Sequence, residues 1–366
     1  VAAQITHILA GEEALRRADP EGAAALLASA GPWFRLGCQG PDIFYHNQRT
    51  KPSGLHYGVL AHRRGYGRIV EGAMTVLPAR ADPGAAQARA YLLGLASHAA
   101  IDRATHPFII CFAGWPRPGE PESEAFRGCH PFLERVLDAG LLATWRGLEP
   151  AAFDLAAALP RPPSPEGADE AGPAWAAVRA LWAAGLGAAY PRAAQADFLL
   201  ERRVENALAD ALYFYEATNP ALTAMNRERE DRFAYLDERA GFRTVALVYP
   251  EAYPSGLDPM NLARESWPHP SGDGRESRAS YLELAEAGAE EAASALRALL
   301  AALRGEASPA SASAAIGAAS LGLADAQGLP QPPRVSRPLP LRALMEAEYA
   351  KRLAWARREL GRGPAN

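Results

Sequence analysis

The segment from Ala85 to Thr105 reads as a strong helix, with Tyr91, Leu92, Leu95 and Ile101 among its apolar positions. Set into it are His98 and Asp102, four residues apart, with His106 four further on. On a helix these three share one face, with neighbouring Cβ atoms ~5–6 Å apart. Amid leucines and isoleucine, a charge is costly unless it is paired or bound to a metal. Any fold of this chain must therefore bury the helix and supply partners for its polar face. His130-Pro131-Phe132-Leu133-Glu134 repeats the device on a second helix, predicted from near His130 to about Leu142, with Phe132, Leu133, Val136 and Leu137 on its buried side. Pro107 disfavours the α conformation at His106, so the first helix is predicted to end there and His106 to swing from Asp102 toward a second metal.

The rest of the chain points to an all-α fold, because alanine and leucine dominate and both favour helix. Helices are predicted at about Ile5–Arg17, Glu21–Ala30 (ended by Gly31-Pro32), His56–Val76, Ala174–Gly187, Ala193–Tyr215, Asn226–Ala240, Arg278–Arg304 and Leu341–Leu360. Asp42 falls on a loop or in a first turn, and Val245–Tyr249 is the only β-like run. Three segments follow: a helical metal-binding domain over 1–305, with its ligands within 1–140 and a Pro-rich surface connection at about 149–172; an Ala/Ser/Pro-rich, loosely held linker over 306–340; and a C-terminal helix over 341–366 that packs on the core.

With a net charge of −4 and interspersed signs, the chain has no basic face of the nucleic-acid-binding kind. Cys38, Cys111 and Cys129 form no CxxC pair, which leaves neither a disulfide framework nor a thiolate zinc site. No apolar run reaches the ~18 residues of a membrane span. The first residue is Val1, not methionine, which implies processing or trimming; the localisation expected is soluble and cytoplasmic, or secreted if a leader was removed. Oligomeric state has no signature in the sequence.

Seven of the eight histidines, His7, His46, His56, His62, His98, His106 and His130, lie in the first 130 residues, with only His269 beyond them. A single HxxxD pair is more often an ordinary polar pair on a helix face than a metal site. Two such helices, one extended by a third histidine, reverse that balance, since a salt bridge satisfies one pair but not a histidine set without matching acids. His62 and His269 read as supporting or surface residues, Arg63, Arg64 and Arg103 as solvated side chains. A di-iron carboxylate protein would need ExxH pairs and facing glutamates. An HD-type phosphohydrolase would need an adjacent His-Asp dipeptide, and the chain has none.

Taken together, Thr6-His7-Ile8, Gly40-Pro41-Asp42, Leu55-His56-Tyr57, His98-Ala99-Ala100-Ile101-Asp102, His106-Pro107-Phe108 and His130-Pro131-Phe132-Leu133-Glu134 resemble the zinc-dependent phospholipase C family, in matching order over about residues 1–140. That family shares its helical fold and trinuclear zinc site with the P1/S1-type nucleases. The resemblance implies a multi-helix bundle of the phospholipase C / P1 nuclease type with additional C-terminal helices, holding two or three Zn²⁺ ions. Asp42, His56, His98 and Asp102 would hold one zinc, with His46 the substitute for His56. His106, His130 and Glu134 would hold a second, and His7 with the terminal amino and carbonyl groups a third, bridged by Asp102. His106 follows Asp102 by four residues, where the family's secreted members have six. The implied activity is hydrolysis of a phosphate ester, with phospholipid among the substrates, by a metal-activated hydroxide that Asp42 orients. The competing expectation is an inactive zinc-binding helical protein that acts as a lipid- or protein-binding module.

Overall fold

The computed structural model describes residues 3–162, 172–223 and 245–360, and 63% of it is helical. In chain order the helices are α1 (Gln4–Ala18), α2 (Ala23–Cys38), α3 (Leu55–Arg63), α4 (Tyr66–Met74), α5 (Ala85–Ala113), α6 (Cys129–Arg146), α7 (Gly172–Ala189), α8 (Pro191–Gln195), α9 (Leu200–Ala217), α10 (Pro220–Thr223), α11 (Tyr281–Leu303), α12 (Pro309–Ile316) and α13 (Leu341–Leu360). A 3₁₀ turn, Gly40–Phe44, lies between α2 and α3. Among the described residues the only sheet is a pair of two-residue antiparallel strands, β1 (Trp267–Pro268) and β2 (Glu276–Ser277).

Helix α5 is the axis of the molecule. It is buried round most of its circumference, as a helix apolar on every side must be. Helices α2 and α11 pack along it, and α1, α4, α6 and α7 close the ring. The α2–α5 contact is backbone to backbone: a Cβ on Gly37 would lie 2.1 Å from the Tyr91 carbonyl oxygen, and one on Gly94 2.0 Å from that of Phe34. One large apolar core fills the space between these helices, and a second surrounds Phe108, Phe112, Phe132 and Trp267 at the far end of α5. No described helix is long and apolar enough to cross a membrane.

Several boundaries differ from the sequence expectation. Helix α5 does not end at His106. It runs through Pro107 to Ala113, because burial of Phe108, Ile109 and Phe112 outweighs the one hydrogen bond that a proline cannot donate. Helix α2 likewise passes Gly31-Pro32 with a kink at Ala30 (φ −138°, ψ 17°), which places the proline in the first turn of a renewed helix, where no N–H is needed. The span 56–76 divides into α3 and α4 at Arg64, which is extended, and Gly65, which is left-handed at φ 83°. The span 193–215 divides into α8 and α9. Val245–Tyr249 is no strand: Val245, Ala246, Val248 and Tyr249 are buried in a turn, with no strand beside them among the described residues. The segment 306–340 is not loosely held. Helix α12 buries Ala312 and Ile316 against α4 and α11, and the Arg337 and Leu339 N–H groups donate to the Cys111 and Phe112 carbonyls. The helix expected at 226–240 lies outside the described residues, as does much of the Pro-rich stretch after 162.

Candidate metal centre

Because α5 continues through Pro107, His98, Asp102 and His106 all remain on one face of one rigid helix. Three neighbours bring side chains to that face. From α1, the His7 ring stacks on His98 with centroids 4.3 Å apart, and its Nε2 lies 3.5 Å from Asp102 Oδ1. The 3₁₀ turn delivers Asp42. From α3, His62 Nε2 lies 3.0 Å from Asp42 Oδ1 and 3.9 Å from Asp102 Oδ2. One turn further along α5, His106 Nδ1–H donates to Asp102 Oδ1 at 2.8 Å, which leaves its Nε2 for another partner. Facing it on α6, His130 Nε2 is 3.0 Å from Glu134 Oε1, and the two imidazole rings are 5.4 Å apart.

Three groups of potential ligands result: His7, Asp42 and His98; His62, His98 and Asp102; His106, His130 and Glu134. Within each, the donor atoms lie within 4.8 Å of one another. The donors are all imidazole nitrogens and carboxylate oxygens, the set that Zn²⁺ accepts at ~2.0–2.2 Å. Unpaired atoms test the fit. His7 Nδ1, Asp42 Oδ2, His98 Nε2, Asp102 Oδ2 and Glu134 Oε2 are buried without a hydrogen-bond partner, and Asp42 Oδ1 has only the His62 ring beside it. Buried carboxylates with lone pairs unused cost several kcal/mol in a site without cations. Bound metal ions would satisfy all of these atoms at once. The His98 ring is fixed from behind, since its Nδ1–H donates to the Cys38 carbonyl at 3.0 Å and its Nε2 faces the group.

Electrostatics agree with this arrangement. Burial by itself would raise the Asp42 carboxyl, but the His62 and His98 rings outweigh it and hold the group below the ordinary carboxylate range. Asp102 is likewise held down against its burial, chiefly by His106. Burial pushes His98 down to about 3, so its imidazole is neutral and its Nε2 lone pair is available. At the second group, burial lowers His130 against the pull of Glu134.

The structure brings together His7, Asp42, His98, Asp102, His106, His130 and Glu134. His56 is the correction. It lies exposed on the outer side of α3, its ring against Tyr57, while Tyr57, Gly58 and Ala61 define the buried side. His62, six residues on, takes the place expected of it. His46 does not replace it either: its ring is buried in a stack on Phe214, 3.9 Å between centroids, and burial drives it down to about 3. His269 is remote and contacts Ser271, and Arg103 donates to the Ile316 carbonyl. The terminal amine expected at a third metal belongs to Val1, which lies outside the described residues.

Asp138 is a second residue that spacing analysis passed over. It stands four after Glu134 on α6 and accepts hydrogen bonds from the backbone N–H groups of Ile5 and Thr6, at 3.1 and 2.7 Å, and from the Tyr249 hydroxyl at 3.0 Å. Helix α1 has no cap of its own. Asp138 caps it from another element and thereby sets the height at which His7 meets His98. Comparison of the chain with family models, with curated proteins and with solved structures gave no match.

Proposed function

We propose that this protein is a zinc-dependent hydrolase of phosphate esters, a phosphodiesterase resembling the zinc-dependent phospholipases C. The observation that carries the reading is the set of six buried donor atoms on His7, Asp42, His98, Asp102 and Glu134 that have no partner or only a histidine ring beside them, arranged as adjacent metal-sized groups. Zinc, when bound, would lower the pKa of water toward ~7 and neutralise phosphoryl oxygens. The residues supply the rest. Asp42, held ionised beside His62, would orient the attacking water. Asp102, a member of the second group, also contacts His7 and His106, so it ties the two ends of the centre together. His130 is the most exposed of the set, with 30% of its side chain accessible, and marks the side from which a phosphate ester enters.

Metal analysis of the purified chain, together with hydrolysis of bis(p-nitrophenyl) phosphate, tests the proposal. The expected result is two or more zinc ions per chain and cleavage that a chelator abolishes. His130→Ala is expected to lower turnover by about a hundredfold or more with helical content retained. Full activity in that variant sinks the assignment of this centre. A single tightly held zinc with no turnover would instead favour the binding-module reading.

A further inference from the structure

The outer side of α3 carries a feature that phosphate-ester chemistry does not require. Leu55 and Val59 are 44% and 40% exposed, and beside them the turn between α8 and α9 lifts Phe198 to 94% exposure, with Leu199 at 37%. The two elements are stitched together. The Tyr57 hydroxyl donates to Asp197 at 2.9 Å, and the Arg203 guanidinium bridges from Asp197 to the Ser53 carbonyl, at 2.9 and 2.6 Å. These ties hold Phe198 and Leu199 next to the start of α3.

The charge on the α3 side of this apolar tip is one-sided. From Ile43 to Val70 the chain has five basic residues, Arg49, Lys51, Arg63, Arg64 and Arg68, and no acid, although the whole chain is net negative. Arg49, Lys51, Arg63 and Arg64 are exposed; Arg49 lies 3.9 Å from Asp210 and Arg68 pairs with Glu71, which leaves Lys51, Arg63 and Arg64 as the basic rim. Beyond the turn the charges nearly cancel, with Asp197 paired to Arg203, Glu205 to Arg202 and Glu201 left over, so the basic excess lies on the α3 side. A protruding aromatic and leucine pair within a basic rim suits a fluid anionic layer, into which side chains insert while lysine and arginine stay at the headgroups. A groove, which would suit a folded partner or a helix, is not what these residues form; Phe198 stands clear of the surface.

Position along α3 connects this tip to the metal centre. Leu55, Val59 and His62 recur at i, i+4 and i+7, so they share one stripe of the helix, and its last member is a donor of the centre. The half-buried Tyr45 ring, 4.9 Å from His62, borders the same edge.

We infer that the Leu55, Val59, Phe198 and Leu199 surface docks the protein on an anionic phospholipid bilayer, with the His62 edge of the metal centre next to the headgroup layer. The inference rests on the proposed hydrolase and adds the surface at which it works. Docking itself needs no turnover, so the two readings fail separately.

Flotation of the full chain with vesicles of phosphatidylcholine alone, and of phosphatidylcholine mixed with phosphatidylserine, tests it. Binding to the mixed vesicles is expected, weakened by high salt as screening removes the basic contribution. Phe198→Ala should lower partitioning about tenfold while hydrolysis of soluble bis(p-nitrophenyl) phosphate stays at the parent level. Arg63→Ala with Arg64→Ala should reduce the salt dependence. Equal binding of parent and Phe198→Ala, no preference for the anionic vesicles, or no vesicle binding at all would each overturn the inference. So would a dimer in sedimentation equilibrium that Phe198→Ala dissolves, because the surface would then be covered by a second copy.

Discussion

Gly40 adopts φ 52°, and a Cβ there would lie 2.4 Å from His98 Cγ, so a glycine is what lets the Asp42 turn pass over the His98 ring. Single atoms of this kind decide the metal centre. His56 and His62 share one short helix, yet one faces solvent and the other lies 3.0 Å from Asp42. His62→Ala is therefore expected to weaken binding of the zinc nearest Asp42 by about tenfold or more. His56→Ala should leave metal content unchanged. Competition titration with a chromophoric zinc chelator separates them, and equal affinities in the two variants would return His56 to consideration. The sequence supports HxxxD and HxxxE pairs well because helical periodicity alone puts their members together. It does not distinguish His56 from His62, because that choice depends on which side of α3 meets Phe44 and Pro41.

Helix α1 holds His7 only as firmly as its own N-terminus is held. Asp138 accepts two of its backbone N–H groups and faces the fully buried Arg135 at 3.6 Å. Asp138→Ala would leave a buried guanidinium without this carboxylate and the helix start uncapped, at a cost of about 3–5 kcal/mol. Urea denaturation measures that loss. A change below about 1 kcal/mol would show that α1 is fixed by its apolar face, Ile5, Ile8 and Leu9, instead. Element boundaries were the least legible part of the sequence. Prolines 32 and 107 read as helix ends, and both lie inside helices, because burial on either side supplies more than one lost hydrogen bond takes away. Val245–Tyr249 read as a strand from its β-branched and aromatic residues, yet it is buried as a turn.

At the scale of the molecule, α5 links the two larger apolar cores and carries donors to every candidate metal group. Removing metal should therefore loosen the whole bundle. Without cations, the Asp42, Asp102 and Glu134 carboxylates would stay buried with unused lone pairs. A ligand that binds only the folded state at ~100 times its Kd stabilises by about 2.7 kcal/mol for each site. Dialysis against a chelator should lower the melting temperature by several degrees, and added zinc should restore it. An unchanged melting temperature with the metal demonstrably removed would mean that the centre contributes nothing to folding. The C-terminal segment belongs to the same whole. Its Ala/Ser and Pro-rich composition reads as a linker, but Ala312, Ile316, Leu341 and Met345 are buried against earlier helices.

By itself the sequence determined that the chain is helical, that α5 and α6 each present histidine and carboxylate on one face, and that the polar residues set in apolar helices need partners. Those conclusions follow from local periodicity and from the cost of burying charge, both of which act within a few residues of chain. Tertiary structure alone decided that His62 and not His56 joins Asp42, that His106 stays in line with Asp102, and that Asp138 anchors the helix of His7. Each of these depends on which faces meet across distances of tens to hundreds of residues in sequence, where packing in the shared core, and not local preference, sets the outcome.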